Sequence, residues 1–109
     1  MENPSENVRT QMRKGLLEYC ILRILSGGEA YASVIIDALK KADMIVVEGT
    51  LYPLLIRLKN QEMLSYRWEE STQGPPRKYY MITEKGRSQL MEMDAAWNEL
   101  VESINKLSR

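Results

Sequence analysis

Between Glu48 and Gln61 the chain places Thr50, Tyr52, Arg57 and Asn60: two hydroxyls, a guanidinium and an amide in one short stretch. These groups suit one kind of chemistry, hydrogen bonding to phosphate oxygens and to the edges of bases. They do not suit covalent catalysis. The chain has no histidine and a single cysteine, so the commonest general base and the commonest metal ligand are missing. No glycine-rich phosphate loop and no CxxC pair occurs. The expectation is a binding protein, not an enzyme, with no metal and no cofactor.

Leu51, Leu54, Leu55 and Leu58 recur at i, i+3, i+4 and i+7, the spacing of one apolar stripe on a helix. Thr50, Tyr52, Pro53, Arg57 and Asn60 fall largely off that stripe. Two readings fit: a DNA recognition helix, or an ordinary amphipathic helix with the usual charged outer face. Pro53 removes one hydrogen bond and crowds the carbonyl of Gly49. The damage is small if the helix starts near Glu48, where the first N–H groups lack internal partners. Val47 is a poor N-cap. The first turn is therefore expected to be irregular and to present Gly49, Thr50 and Tyr52 outward.

The flanking elements must hold this helix. Upstream, Tyr31 to Ala42 reads as a helix with Val34, Ile35, Ala38 and Leu39 inward and Ser33 facing solvent. Asp43 to Val47 reads as a connector, either an edge strand or a buried loop. A helix, a short turn and a second helix carrying polar readers make the helix-turn-helix pattern. Downstream, Leu64 to Glu70 alternates and is rich in aromatics, Ser71 to Pro76 is turn chemistry, and Arg77 to Ile82 reads as the returning strand. That hairpin is a wing with Arg77 and Lys78 at its foot, or else a plain solvated hairpin. Tyr79 and Tyr80 alternate faces, so one packs on the core.

From Val8 to Ser26 the pattern predicts one helix with two apolar stripes, closed by a left-handed stop at Gly27-Gly28; Met1 to Asn7 reads as a loose end. The second stripe implies a second copy of the chain, or simply deep burial. Thr83 is a good N-cap for a helix from Glu84 to Lys106. On it Leu90, Met93, Trp97, Leu100, Ile104 and Leu107 step by three and four, a heptad seam. Self-association is the natural use of such a seam, and an antiparallel return onto its own domain is the alternative. The fold is thus expected to be mainly α with a small β-hairpin: a winged helix-turn-helix over 1–83 and a C-terminal dimerisation helix over 84–109.

Lys and Arg number 15, as do Asp and Glu, so net charge is zero. Taken alone this disfavours nucleic acid, and it supports the alternative of a winged-helix protein-interaction module without DNA binding. The distribution argues otherwise. Arg9, Arg13, Lys14, Arg57, Lys59, Arg67, Arg77 and Lys78 precede an acidic last third with Glu92, Asp94, Glu99 and Glu102. Cys20 sits in an apolar helix and reads as a buried, inert thiol. A chain without a possible internal disulfide, membrane span or signal-peptide layout fits the cytoplasm.

Gly49-Thr-Leu-Tyr-Pro-Leu-Leu with Arg57-Leu58, Gly74-Pro-Pro-Arg-Lys-Tyr-Tyr80, Ile82-Thr-Glu-Lys-Gly86, and Tyr31 after Gly27-Gly28 together resemble the PadR family of bacterial transcriptional regulators. The resemblance spans about Met12 to Leu107, and the single C-terminal helix is similar to the compact branch containing multidrug-sensing repressors. It implies a homodimer on a pseudo-palindromic operator in double-stranded DNA, acting as a repressor released by a small molecule. Carried over, Thr50, Tyr52, Pro53 and Arg57 would meet the major groove and its backbone. Lys14, Gly74, Arg77 and Lys78 would hold phosphates, with Tyr31 supporting or touching the backbone. Trp97 matches a tryptophan that stacks planar aromatic ligands in a pore between subunits; Met12, Tyr19, Leu22, Met93 and Val101 would line the same space. Asp94 and Tyr19 depart from that pattern, bringing a charge and a bulky ring to the pore.

Overall fold

The computed structural model of the chain describes residues 4–107. The elements are α1 (Pro4–Arg13), α2 (Leu17–Ser26), β1 (Ala30–Tyr31), α3 (Ala32–Lys41), α4 (Glu48–Asn60), β2 (Leu64–Ser71), β3 (Gly74–Ile82) and α5 (Glu84–Lys106). Helices α2, α3 and α4 close on one core. Ile21, Leu22, Leu25, Ile35, Leu39, Leu51, Leu55 and Leu58 are buried there, with Leu64 and Tyr80 from the sheet and Leu90 from α5. Each such aliphatic side chain contributes about 1.5–3 kcal/mol on leaving water. The leucine stripe of α4 is therefore what orients its opposite, polar face outward.

The N-terminal helix is not continuous, contrary to its periodicity. It breaks at Lys14–Leu16, where the N–H of Lys14 reaches back to Gln11 and that of Leu16 to Arg13. Gly15 weakens a helix by about 0.5–1 kcal/mol relative to alanine, which makes the break inexpensive. Pro4–Asn7, expected to be loose, belong to α1, with Pro4 at a first helical position that tolerates its missing N–H; Met1–Asn3 lie outside the described residues. Helix α2 ends with Gly28 at φ 151°, a conformation open to glycine, rather than with a regular left-handed cap.

The other differences are local. Tyr31 does not open a helix; it forms strand β1 and precedes α3 as its N-cap. Val34 points out, half exposed, while Ile35 and Leu39 are inward. The connector Met44–Val47 is neither strand nor buried loop: Met44 and Val46 are partly covered, and Ile45 and Val47 face solvent. Both α3 and α4 stop with a left-handed residue, Asp43 at φ 60° and Glu62 at φ 64°. Met44 N–H then bonds Leu39 O at 2.8 Å and Met63 N–H bonds Leu58 O at 3.0 Å, the closure that normally uses glycine.

The sheet has the order β1-β3-β2, all antiparallel, with Tyr31 opposite Tyr79 and Tyr66 opposite Tyr80. The hairpin is longer than its turn-rich sequence implies: β2 runs to Ser71 and β3 starts at Gly74, leaving Thr72 and Gln73 as the loop. Pro75 and Pro76 fit in β3 because β1 pairs only as far as Tyr79, so this end of β3 is an edge.

Helix α5 begins in a tight seat. The Thr83 hydroxyl accepts from Gly86 N–H at 2.9 Å and donates to Glu62 O at 2.7 Å. Beyond Leu90 and Met93, which pack on the core, the apolar line runs into solvent. Trp97, Leu100, Ile104 and Leu107 are 40%, 55%, 61% and 82% exposed.

Candidate nucleic-acid interface

Helix α4 forms despite Pro53 because the proline falls in its second turn, where few internal bonds are lost. The first turn is tightened. Thr50 N–H closes on Val47 O at 3.0 Å, and Leu51 N–H shares that carbonyl at 3.1 Å. Gly49, Thr50, Tyr52, Pro53 and Arg57 are all exposed. Arg57 and Tyr52 mark the two flanks of the helix. Toward α2, Arg57 Nε pairs with Glu18 Oε1 at 3.3 Å. Toward the wing, Tyr52 borders a cleft of about 310 Å³ whose walls include Tyr31, Ser33, Glu48, Trp68, Arg77 and Lys78.

The wing cations are held by aromatic rings on both faces of the sheet. Arg77 lies 4.3 Å over the Tyr31 ring, which meets Tyr79 edge-on at 4.8 Å. Arg67 covers Tyr79 at 4.6 Å and is bonded to Glu29 at 3.2 Å and Glu69 at 3.0 Å. On the other face Lys78 sits 4.5 Å from the centre of Tyr66 and 5.4 Å from that of Trp68, and Lys59 reaches Tyr66 at 5.8 Å. Such contacts contribute about 0.5–1 kcal/mol each and leave the ammonium and guanidinium edges free to donate. Tyr80 is the tyrosine that enters the core, and burial pushes its phenol above the ordinary value of 10.0.

The structure thus gathers Tyr31, Tyr52, Arg77 and Lys78 around one cleft. Thr50 and Arg57 lie on the other flank of α4. Lys14 is exposed in the turn leading into α2, the helix that carries Glu18. Gly74 is at the wing tip, where an added Cβ would meet nothing within 4 Å. Sequence reasoning missed Glu18, whose contact with Arg57 crosses between helices and leaves no local signal. It also passed over Tyr66 and Trp68 as partners of Lys78. Their period-two spacing, opposite Tyr80 and Lys78 in the register, was the available clue.

The expected ligand-lining set is only partly surface. Met12, Trp97 and, in part, Met93 and Val101 are accessible. Leu22 is not: with 0% exposure it is a core residue and has no face to offer a ligand. Tyr19 is also enclosed, and its hydroxyl donates to Asp94 Oδ1. Arg23 Nη1 donates to that hydroxyl at 3.0 Å and to Asp94 at 3.2 Å. The charge and the bulk that departed from the family pattern are therefore each other's partners, joining α2 to α5. Burial, and next the bond to Asp94, raise the Tyr19 phenol. Cys20 is half-buried, and burial raises its thiol, which favours the protonated form at neutral pH. Among the described residues no cluster could hold a metal ion, and no helix is long and apolar enough to cross a membrane.

A helix-turn-helix followed directly by a two-stranded wing defines a winged helix-turn-helix protein. The chain belongs to the transcriptional regulator PadR-like family, whose model matches residues 21–92. A PadR-like transcription factor from Bacteroides fragilis is 63% identical, with TM-score 0.81 over 94% of this chain and 99% of that one. A PadR family transcriptional regulator from Eggerthella lenta is 31% identical, with TM-score 0.88 over 94% and 90%. An uncharacterized protein of Lysinibacillus sphaericus is 30% identical over 101 residues, covering 90% of this chain and 93% of the relative. The family is one of transcriptional regulators, not of enzymes.

Proposed function

We propose that the chain is a dimeric, ligand-responsive repressor that binds a pseudo-palindromic operator in double-stranded DNA and acts in the cytoplasm. One observation carries the reading: the polar face of α4 is open, and Arg77 and Lys78 of the wing stand beside it over one cleft. Major-groove contacts would come from Thr50, Tyr52, Pro53 and Arg57. Phosphate contacts would come from Lys14, Arg77, Lys78 and the Gly74 backbone, with Tyr31 holding Arg77 in place. Dimerisation falls to the segment 84–109. Its line Trp97, Leu100, Ile104 and Leu107, with Val8 and Met12 exposed on α1, is apolar surface that a lone protomer leaves wet. A planar aromatic effector would stack on Trp97, between Met12, Met93 and Val101.

Such an effector would act by linkage, shifting the population toward the spacing of heads it fits best. Operator binding measured against salt tests the DNA reading, because phosphate contacts release counterions. Arg77→Ala is expected to weaken binding at all sequences and to lower the salt slope by about one. An unchanged slope would remove Arg77 from the interface. Sedimentation at micromolar concentration tests the dimer, and a monomer there would refute it. The Arg57–Glu18 pair is what favours the protein-interaction alternative, since it occupies the guanidinium that DNA would need. Absence of any salt-sensitive duplex binding by the wild-type protein would support that alternative.

A further inference from the structure

A surface helix ordinarily turns polar residues away from the core. Helix α4 does not. Its inner line is Leu51, Leu55 and Leu58 with the partly buried Leu54, and at about 100° per residue the opposite crest is centred on Gly49 and Asn60, with Pro53 and Ile56 about 30° to either side. Ile56 is 57% exposed on that crest. The polar and cationic groups sit on the flanks: Thr50 and Arg57 toward α2, Tyr52 and Lys59 toward the wing. A shallow groove of about 170 Å³ beside Ile56 is bordered by Lys59, Asn60 and Lys78. An uncharged crest beside a cationic wall of Lys59 and Lys78 is complementary to the major groove, where phosphates line the rims and the floor is base edges. On that floor an apolar side chain has one good partner, the C5-methyl group of thymine.

We propose that Ile56 reads a thymine methyl group in each operator half-site. The inference rests on the DNA-binding reading and adds a sequence requirement to it. Lys59 and Lys78 on the wing side of Ile56 argue for a polyanion there, while Arg57 on the other side is paired with Glu18.

The test starts from duplexes selected by the wild-type protein out of a random-sequence library. Selected half-sites are expected to hold a thymine at a fixed position. Replacing it by deoxyuridine, which lacks only the methyl group, is expected to weaken binding about fourfold, the equivalent of ~0.8 kcal/mol per buried methyl. Ile56→Ala should lose a similar factor on the thymine duplex and be indifferent to the exchange. Its salt slope should stay that of wild type, since no phosphate contact is touched. Because Ile56 is exposed, the variant should melt as wild type does. An Ile56→Ala protein that keeps the full uracil penalty, or selected sites without a fixed thymine, would overturn the methyl contact while leaving DNA binding intact. No enrichment and no salt-sensitive binding would overturn both readings.

Discussion

Gly86→Ala sets two effects of opposite sign against each other at the root of α5. Within a helix, alanine is better than glycine by about 0.5–1 kcal/mol. Here a Cβ would lie 2.2 Å from Met63 O and 2.8 Å from Ile82 Cγ1. The carbonyl cannot retreat easily, because it accepts Thr83 N–H at 3.1 Å. Relief requires α5 to lift, which stretches the 2.9 Å cap bond from Gly86 to Thr83. Overpacking of this kind costs about 1–3 kcal/mol, and a weakened cap adds about 1. The net expectation is a loss of about 1–3 kcal/mol. For a chain of this size each kcal/mol moves the melting temperature by about 4–8 °C. Far-UV circular dichroism melts at one fixed protein concentration would read it. Gly49→Ala is the control: it is also helical, but a Cβ there meets nothing within 4 Å, so it should melt slightly higher than wild type. A Gly86→Ala protein that melts at or above the wild-type temperature would refute the close approach of α5 to Met63.

Glu18→Gln removes the charge that holds Arg57, a pair with its arginine exposed and its glutamate mostly covered, worth up to about 1 kcal/mol. Fold stability should barely change, while operator affinity by fluorescence anisotropy should rise by up to about fivefold; no rise would mean that the pair does not compete with phosphate. Tyr80 gives a pH signature. Its phenol is raised by burial, so the folded state holds that proton more tightly than the unfolded chain. Stability is therefore unaffected below the ordinary value and is lost as pH rises through about 10 and beyond. Tyr80→Phe should flatten the alkaline side of the stability curve in urea titrations; an unchanged curve would assign the alkaline loss to other groups.

The helices that matter most were legible because their signals are local. Four leucines set α4, and Thr83 with a regular apolar step set α5 from Glu84 to Lys106. The break at Gly15 was not legible, because apolar periodicity continues across it and only the missing side chain marks the spot. Strand β1 is two residues long, and its existence depends on Tyr79 and Tyr80, far along the chain. Pair contacts such as Glu18 with Arg57 and Tyr19 with Asp94 join separate helices, so no spacing rule anticipates them. Leu22 shows the limit of carrying roles over from a family: the position matched, but in this chain that side chain is core.

These long-range contacts bear on how a dimer would switch. Helix α5 has 23 residues, so at 1.5 Å per residue it is a lever about 34 Å long. Its root is fixed twice, by the Thr83 and Gly86 seat and, higher up, by Asp94 bonded to Tyr19 and Arg23 of α2. A tilt of about 5° about that root moves the far end by about 3 Å. If the far ends are joined in a dimer, the same tilt moves the heads instead, against a required separation of about 34 Å along the duplex. Coupling of about 1–3 kcal/mol gives a 5–150-fold change in affinity. The Tyr19–Asp94–Arg23 contact joins α5 to α2 through an enclosed tyrosine hydroxyl and an arginine open to solvent, so it is screened and can be exchanged. Under the proposed dimer and effector, this contact would hold α5 at one tilt, and a ligand at Trp97 would act by displacing it.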